Sequence, residues 1–406
     1  MTTTREKEIL GKLISFDTTS DGPNRPLINW VAQYLRDCGL DSKHICVQEA
    51  PKEEPGAELH ANLFATIPAG DGSTQGGIAL CGHTDVVPTT NQKWSTDPYK
   101  MVERDGKLYG RGACDMKAFI AVSLALVPEL LKQQKSLKKP VHFAFTYNEE
   151  TTMTGAPLIL SKLKEHKCEG CVVGEPTSLQ FVIAHKGISF MVYESRGLAA
   201  HSSLQTSGFN ALQATSEMLT HLFALRKRLS EEGPFEEGYE VPYTTVNPAI
   251  AQGGIATNII PEYCKLNFEM RTIAADSIHD HIHNLDAFVA KQNEGMKAAK
   301  APEGCCASIH QTCVIPPFSS DPSSKVLKAL QASHAKGGDP IKVCYATESG
   351  YYQGAGVPTV VFGPGSITVA HKPDEYVPIE DLQQCVQVIR RTVYVMCGGE
   401  TGPSSI

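Results

Sequence analysis

The sequence predicts an α/β protein: a mostly parallel sheet flanked by helices, interrupted by an inserted α+β domain. Three observations predict it. Short β-rich runs alternate with helical runs through the first half of the chain. Runs such as VHFAFTYN (141–148) are apolar on both faces, as a sheet covered on both sides requires. From Ile188 the order changes to strand, helix, two strands and helix, which suits a small antiparallel sheet with helices on one face.

Taken in order, Leu27, Val31 and Leu35 recur at helical spacing, and extended runs follow at 62–67 and 77–81. After Asp115 an apolar helix is expected over about 117–131, then the strand at 141–148 and another in CVVGEP (171–176). Strand, helix, strand at this spacing implies parallel pairing through crossovers, with loops at the carboxyl ends of the strands forming the ligand crevice. The inserted block reads as a strand in ISFMVYESRG, a helix over 208–229, strands near 244–252 and 263–273, and a helix over about 277–292. Residues 296–303, rich in Lys, Ala and Gly, are expected to lead back. KVCYATES, PTVVFGPG and a helix near 379–396 then resume the α/β pattern. The expected domains are 1–186 and 303–406 for the sheet, and 187–302 for the insert.

Composition narrows the function. The 406 residues carry 37 Lys and Arg against 44 Asp and Glu, for a formal charge of -7, and no stretch concentrates basic residues. Nucleic acid is not an expected partner. The longest apolar run, 118–131, is too short and too broken by Ser123, Pro128 and Glu129 to span a bilayer, and MTTTREKEILGKL does not read as a signal peptide. Thirteen irregularly spaced cysteines read as reduced thiols in a cytoplasmic protein, with no disulfides assigned.

The chemistry-bearing residues share one position, the carboxyl end of a predicted strand. His83 and Asp85 leave the strand GIALCG together; Glu149 and Glu150 follow VHFAFTYN; Glu175 ends CVVGE; His371 follows TVVFGPG in AHKPDEY. Asp115, in GRGACDMKAF, sits at the turn into the long helix. If these residues converge, their like charges destabilise the fold unless cations intervene. Histidine and carboxylate donors favour zinc over magnesium or calcium, with cobalt the alternative. A paired site needs one bridging carboxylate, further ligands for each ion, and one acid left to move a proton. Glu149 and Glu150 point opposite ways along the strand end, so one can ligate while its neighbour faces a water as general base. Asp85 is placed to take the ring N–H of His83.

The blocks CGHTDVVP, KLYGRGACDMKAF, NEETTMTGA, GEPTSLQ, HKG, HSS, GGIATNIIP, FEMR and GPGSITVAHKPDEY carry a resemblance. They resemble the dinuclear metallohydrolase superfamily of aminoacylases, desuccinylases and zinc carboxypeptidases, and within it the branch that deacetylates N2-acetyl-L-ornithine. The resemblance implies that His83, Asp115 and Glu175 surround one metal ion and Asp115, Glu150 and His371 a second, with Asp115 bridging. It implies Glu149 as the base, Asp85 as the residue orienting His83, and a cis peptide between Asp115 and Met116. The insert is implied to be a lid and the surface of a homodimer. His201 in HSS would contact the oxyanion, and Asn258 and Arg271 would bind the substrate carboxylate, Arg through its planar fork. After Tyr345 the chain reads ATESGYYQ, without the Ala and Pro expected after Glu348. Glu348 is expected near the pocket, pairing with the side-chain ammonium of the substrate. A succinyl-diaminopimelate desuccinylase, a broad aminoacylase, and a metal-free binding module are the alternatives. No GxSxG follows a strand, which disfavours a serine hydrolase. HDHIH (279–283) opens a predicted helix, where residues two apart do not share a face, so His279, His281 and His283 are expected to be solvated. Cys168 and Cys171 form a CxxC without a second pair.

Overall fold

The computed structural model describes residues 4–20, 22–54, 56–334 and 337–398. Contacts divide the chain into two units: residues 1–183, 319–341 and 347–406 form one, and 184–318 with 342–346 the other.

Apolar strands build the first unit's sheet. Val141–Thr146 and Ile78–His83 are buried along their whole length, so helices must cover both faces. The strand order runs Ile45–Glu49, Ala61–Ile67, Val141–Thr146, Ile78–His83, Gly170–Val173, Thr359–Val361. Ile78–His83 pairs in parallel with Val141–Thr146 and Gly170–Val173, and Thr359–Val361 continues the parallel set. Ile45–Glu49 and Ala61–Ile67 pair antiparallel at one edge, and beyond Thr359–Val361 the sheet continues with Val361 antiparallel to Val182.

The helix Lys117–Lys132 is apolar nearly all round and almost wholly buried, as a central helix should be. Arg25–Asp37 buries only one stripe, Leu27, Ile28, Val31, Ala32 and Leu35. Sequence spacing did not single out four further helices, Arg5–Ile14, Gly155–Glu165, Lys325–Ser333 and Ser349–Gly354. A small three-stranded sheet, Val102–Arg104, Lys107–Tyr109 and Tyr376–Pro378, sets Tyr376 opposite Tyr109. No helix among the described residues is long and apolar enough to cross a membrane.

The second unit is an antiparallel sheet ordered Thr245–Gly253, Tyr263–Thr272, Gly187–Arg196, Cys306–Ile315. Tyr263–Thr272 buries every second side chain, the period-2 pattern of a strand covered on one face. The helices Ala211–Glu232 and Ile278–Ala298 supply Met218, Leu222 and Leu285 to a core shared with Tyr193, Phe268 and Met270. Two features differ from the sequence reading. The helix Ile278–Ala298 runs three residues into the stretch expected as a linker, and the chain then adds Cys306–Ile315 as a fourth strand. That strand lies at the sheet edge with Ser308, His310, Gln311 and Thr312 outside the buried set, so it lacks the apolar alternation that marks a strand in sequence.

Candidate metal centre

Register places the acids. His83 stands opposite Thr146 and Cys81 opposite Val173, so Gly170–Val173 stops two residues short of its neighbours and the register carries Glu175, two residues past Val173, level with His83. Asn148, Glu149 and Glu150 therefore leave the same edge as Glu175. Asp115 arrives from the turn before Lys117–Lys132. Its peptide bond to Met116 is cis. His371 comes from the loop after Thr359–Val361 and holds a left-handed φ of 63°.

Asp115 lies between two histidines. Its Oδ1 is 3.0 Å from His83 Nε2 and its Oδ2 is 3.2 Å from His371 Nε2. His371 Nε2 is also 3.0 Å from Glu150 Oε2, and His83 Nε2 is 3.9 Å from Glu175 Oε1. Two groups result, His83 with Asp115 and Glu175, and Asp115 with Glu150 and His371, each with ligand atoms within 4.8 Å of one another. Asp115 belongs to both, one oxygen facing each. Glu149, next in sequence to Glu150, belongs to neither.

The electrostatics ask for cations. Burial, and then the charge of Asp115, pushes the Glu150 carboxyl up to about 7. Burial also holds Glu149 and Glu175 well above the ordinary carboxylate range, with neighbouring acids adding to it. Asp115 goes the other way: burial would raise it, but hydrogen bonds from His371 and His83 outweigh that and hold it below the usual range. Glu175 Oε1 is buried with no hydrogen-bond partner, which costs free energy unless something electropositive faces it. Nitrogen and oxygen donors, clustered acids and an orphaned carboxylate oxygen together fit divalent metal ions at both groups.

Asp85 acts differently from expectation. The partner of His83 Nδ1 is the main-chain carbonyl of Asp85, at 2.9 Å, while the nearer carboxylate oxygen is 3.6 Å away. The Asp85 carboxylate instead accepts the main-chain N–H groups of Glu149 (3.0 Å) and Glu150 (3.2 Å) and the hydroxyl of Ser20 (2.7 Å). One residue thus fixes the ring of a candidate ligand and the backbone of the acid pair.

Glu348 is a further buried acid near these residues. It is only 1% exposed, its Oε2 accepts the Tyr352 hydroxyl at 2.8 Å, and burial pushes its carboxyl up to about 7. It lies close enough to feel the charges of His83 and Asp85, and it is buried to the same degree as those two residues.

His201, Asn258 and Arg271 belong to the second unit. His201 is exposed, its Nδ1 is 2.8 Å from the Ser203 hydroxyl, and its backbone bridges to Ile259. The carbonyl of Asn258 accepts the N–H of Ser202 at 2.9 Å, so the HSS and ATNIIP segments lie side by side. The Arg271 guanidinium contacts Glu269 at 3.3 Å and the carbonyl of Cys344 at 3.3 Å. Of the discounted histidines, His279 and His283 are exposed, but His281 is buried and 2.7 Å from Asp276, an anchor at the start of its helix.

Sequence reasoning passed over Ser20 and the buried pair Arg111 and Glu375. Glu375 had one usable signal: a charge four positions beyond His371, directly before the apolar pairing strand Tyr376–Pro378.

Comparison with known proteins agrees with this geometry. The model of peptidase family M20/M25/M40 matches residues 79–395. An acetylornithine deacetylase of Myxococcus xanthus is 35% identical over 393 residues, covering 96% of this chain and 97% of the relative. A metallo-carboxypeptidase of family M20 from Sulfolobus solfataricus superposes with a TM-score of 0.71 at 16% identity, covering 97% of this chain and 99% of the other. YXEP of Bacillus subtilis, described as a dinuclear metal-binding peptidase of family M20, does so at 0.65 and 16%, covering 97% and 98%. With all the acids and histidines of the two groups inside the matched residues, the chain belongs to peptidase family M20/M25/M40 and is a metal-dependent hydrolase.

Proposed function

We propose that this chain hydrolyses the acetyl amide of N2-acetyl-L-ornithine, giving L-ornithine and acetate in arginine biosynthesis. The observation that carries the reaction type is the position of Asp115, with one carboxylate oxygen toward His83 and the other toward His371. The choice of substrate is supported by 35% identity to an acetylornithine deacetylase over 96% of this chain.

In this reading His83, Asp115 and Glu175 hold one divalent ion and Asp115, Glu150 and His371 the other, zinc being the expected metal and cobalt the alternative. Two ions so held would acidify a water and polarise the amide carbonyl. Glu149 takes the proton of the attacking water as the C–O bond forms, and delivers it to the amine nitrogen as the C–N bond breaks. Asp85 keeps Glu149 and Glu150 in place through their main-chain amides. By match to the HSS, ATNIIP and FEMR blocks, His201 stabilises the oxyanion and Asn258 and Arg271 hold the substrate carboxylate. By the same resemblance the chain forms a homodimer through the inserted domain. The thirteen free cysteines support a reducing, cytoplasmic setting.

The test is a panel of N2-acetylornithine, succinyl-diaminopimelate and acetylmethionine, assayed before and after chelation with zinc or cobalt restored. The expected result is the highest kcat/KM on acetylornithine, lost with the metal and recovered with it. A higher kcat/KM on either of the others replaces the substrate, and full activity after chelation removes the mechanism.

A further inference from the structure

The candidate ligand Asp115 is held from behind by a buried carboxylate. Glu375 Oε1 accepts the main-chain N–H groups of Cys114 (2.8 Å) and Asp115 (3.0 Å). Its Oε2 accepts the N–H of Gly112 (3.2 Å) and a guanidinium N–H of Arg111 (2.5 Å). Arg111 reaches onward: its Nη2 donates to Gln92 Oε1 at 2.5 Å, and its guanidinium lies 5.1 Å from the centre of the Trp94 ring. Gln92 turns the chain of contacts back to the site, its Nε2 donating to the main-chain carbonyl of His371 at 2.9 Å. The relay therefore begins at the backbone of Asp115 and ends at the backbone of His371. Those are two of the three side chains in the second candidate ion group.

Two considerations give this arrangement a task beyond stability. Arg111 and Glu375 are each only 1% exposed, and a buried ion pair contributes little net stability compared with apolar side chains of similar volume. What it does supply is direction, because four donors fix one carboxylate and the planar guanidinium fixes the angle to its next partner. The need for direction is also clear. His371 is half exposed, on a loop with left-handed residues at both His371 and Asp374 and no strand or helix of its own to orient it.

We propose that Glu375, Arg111 and Gln92 are positioning residues that fix His371 relative to Asp115 and so set the affinity for the ion held by Asp115, Glu150 and His371. The inference rests on the two-ion reading above. It assigns no contact with substrate to any of the three.

Gln92→Glu is the discriminating variant. Glutamate keeps the oxygen that accepts from Arg111 and from Trp94 Nε1, puts a carboxylate oxygen in place of the donor to His371, and sets its added charge against the Arg111 guanidinium. Cobalt(II) would be titrated into chelator-stripped protein, followed by its visible absorption and by calorimetry. The wild type is expected to take up two ions. Gln92→Glu is expected to keep one site at wild-type affinity and weaken the other about tenfold or more, the usual cost of losing a partner that orients a ligand. Glu375→Gln is expected to weaken both sites, since Asp115 serves both. Unchanged affinities in Gln92→Glu overturn the relay while leaving the two-ion reading intact. Equal weakening of both sites in Gln92→Glu overturns it too, as a general structural effect. Uptake of fewer than two ions by the wild type removes both.

Discussion

Gly174 separates the buried strand Gly170–Val173 from Glu175, and it faces the helix that follows Asp115. A Cβ at Gly174 would lie 1.8 Å from Phe119 Cγ and 2.0 Å from Phe119 Cδ1. Ordinary contact begins at 3.4 Å, so ring or strand must yield by 1.6 Å. Neither has room, because Phe119 is fully buried in the main core. Overpacking of this kind costs about 1–3 kcal/mol. The price in melting temperature for Gly174→Ala is then roughly 2–10 °C in a unit of this size. The strand end and Phe119, four residues after Asp115, move apart together, so affinity for the ion at His83, Asp115 and Glu175 should fall as well. Differential scanning fluorimetry of the stripped protein and a cobalt titration read the two effects. Adding Phe119→Leu to Gly174→Ala should recover part of both, leaving the double variant less damaged than the sum of the singles. A Gly174→Ala protein that melts with the wild type and binds metal equally well refutes the packing argument.

Removing the proton-carrying group should separate chemistry from binding: Glu149→Gln is expected to lower kcat about a hundred- to ten-thousandfold with metal content unchanged. Turnover near the wild-type rate would reassign the base. His142, on the strand Val141–Thr146, is buried with Nε2 2.8 Å from the Gly76 carbonyl and Nδ1 2.9 Å from the Thr66 hydroxyl, and burial lowers its pKa to about 4. Above pH 6.5 the ring is neutral folded and unfolded alike, but between 6.5 and 4 the unfolded chain takes up a proton that the folded one refuses, so stability falls with pH. From pH 7.5 to 5 the loss is about 2 kcal/mol, and His142→Gln should lack it. Denaturation of both proteins at the two pH values measures the difference, and parallel losses would show that the ring is not the cause.

The metal centre was legible because its sheet is buried on both faces. Strands such as Ile78–His83 and Val141–Thr146 then appear as unbroken apolar runs, and a His or Glu at their ends stands out. Position at a strand end, repeated for His83, Glu150 and Glu175, carried more than any single motif, whereas His371 lies on a loop ten residues past Thr359–Val361. Where burial is partial the sequence says less. Cys306–Ile315 is an edge strand whose outward side chains are polar, so its pattern does not differ from a loop. Charged residues in the interior are illegible for another reason: composition cannot tell a buried carboxylate from a solvated one. His281 was expected in solvent and instead anchors a helix start against Asp276. Glu375 gave no sign that it gathers three backbone amides and a guanidinium, because its partners lie more than 250 residues away in sequence. Asp85 illustrates the finer limit, since spacing placed it beside His83 but could not say whether its carbonyl or its carboxylate would meet the ring.

The central claim is that Asp115 is shared between two ions, and anomalous diffraction from zinc-loaded crystals tests it most directly. Two anomalous peaks are predicted, one bounded by His83, Asp115 and Glu175 and the other by Asp115, Glu150 and His371, with a different Asp115 oxygen toward each. A single peak, or peaks that leave Asp115 without a metal contact, would contradict it.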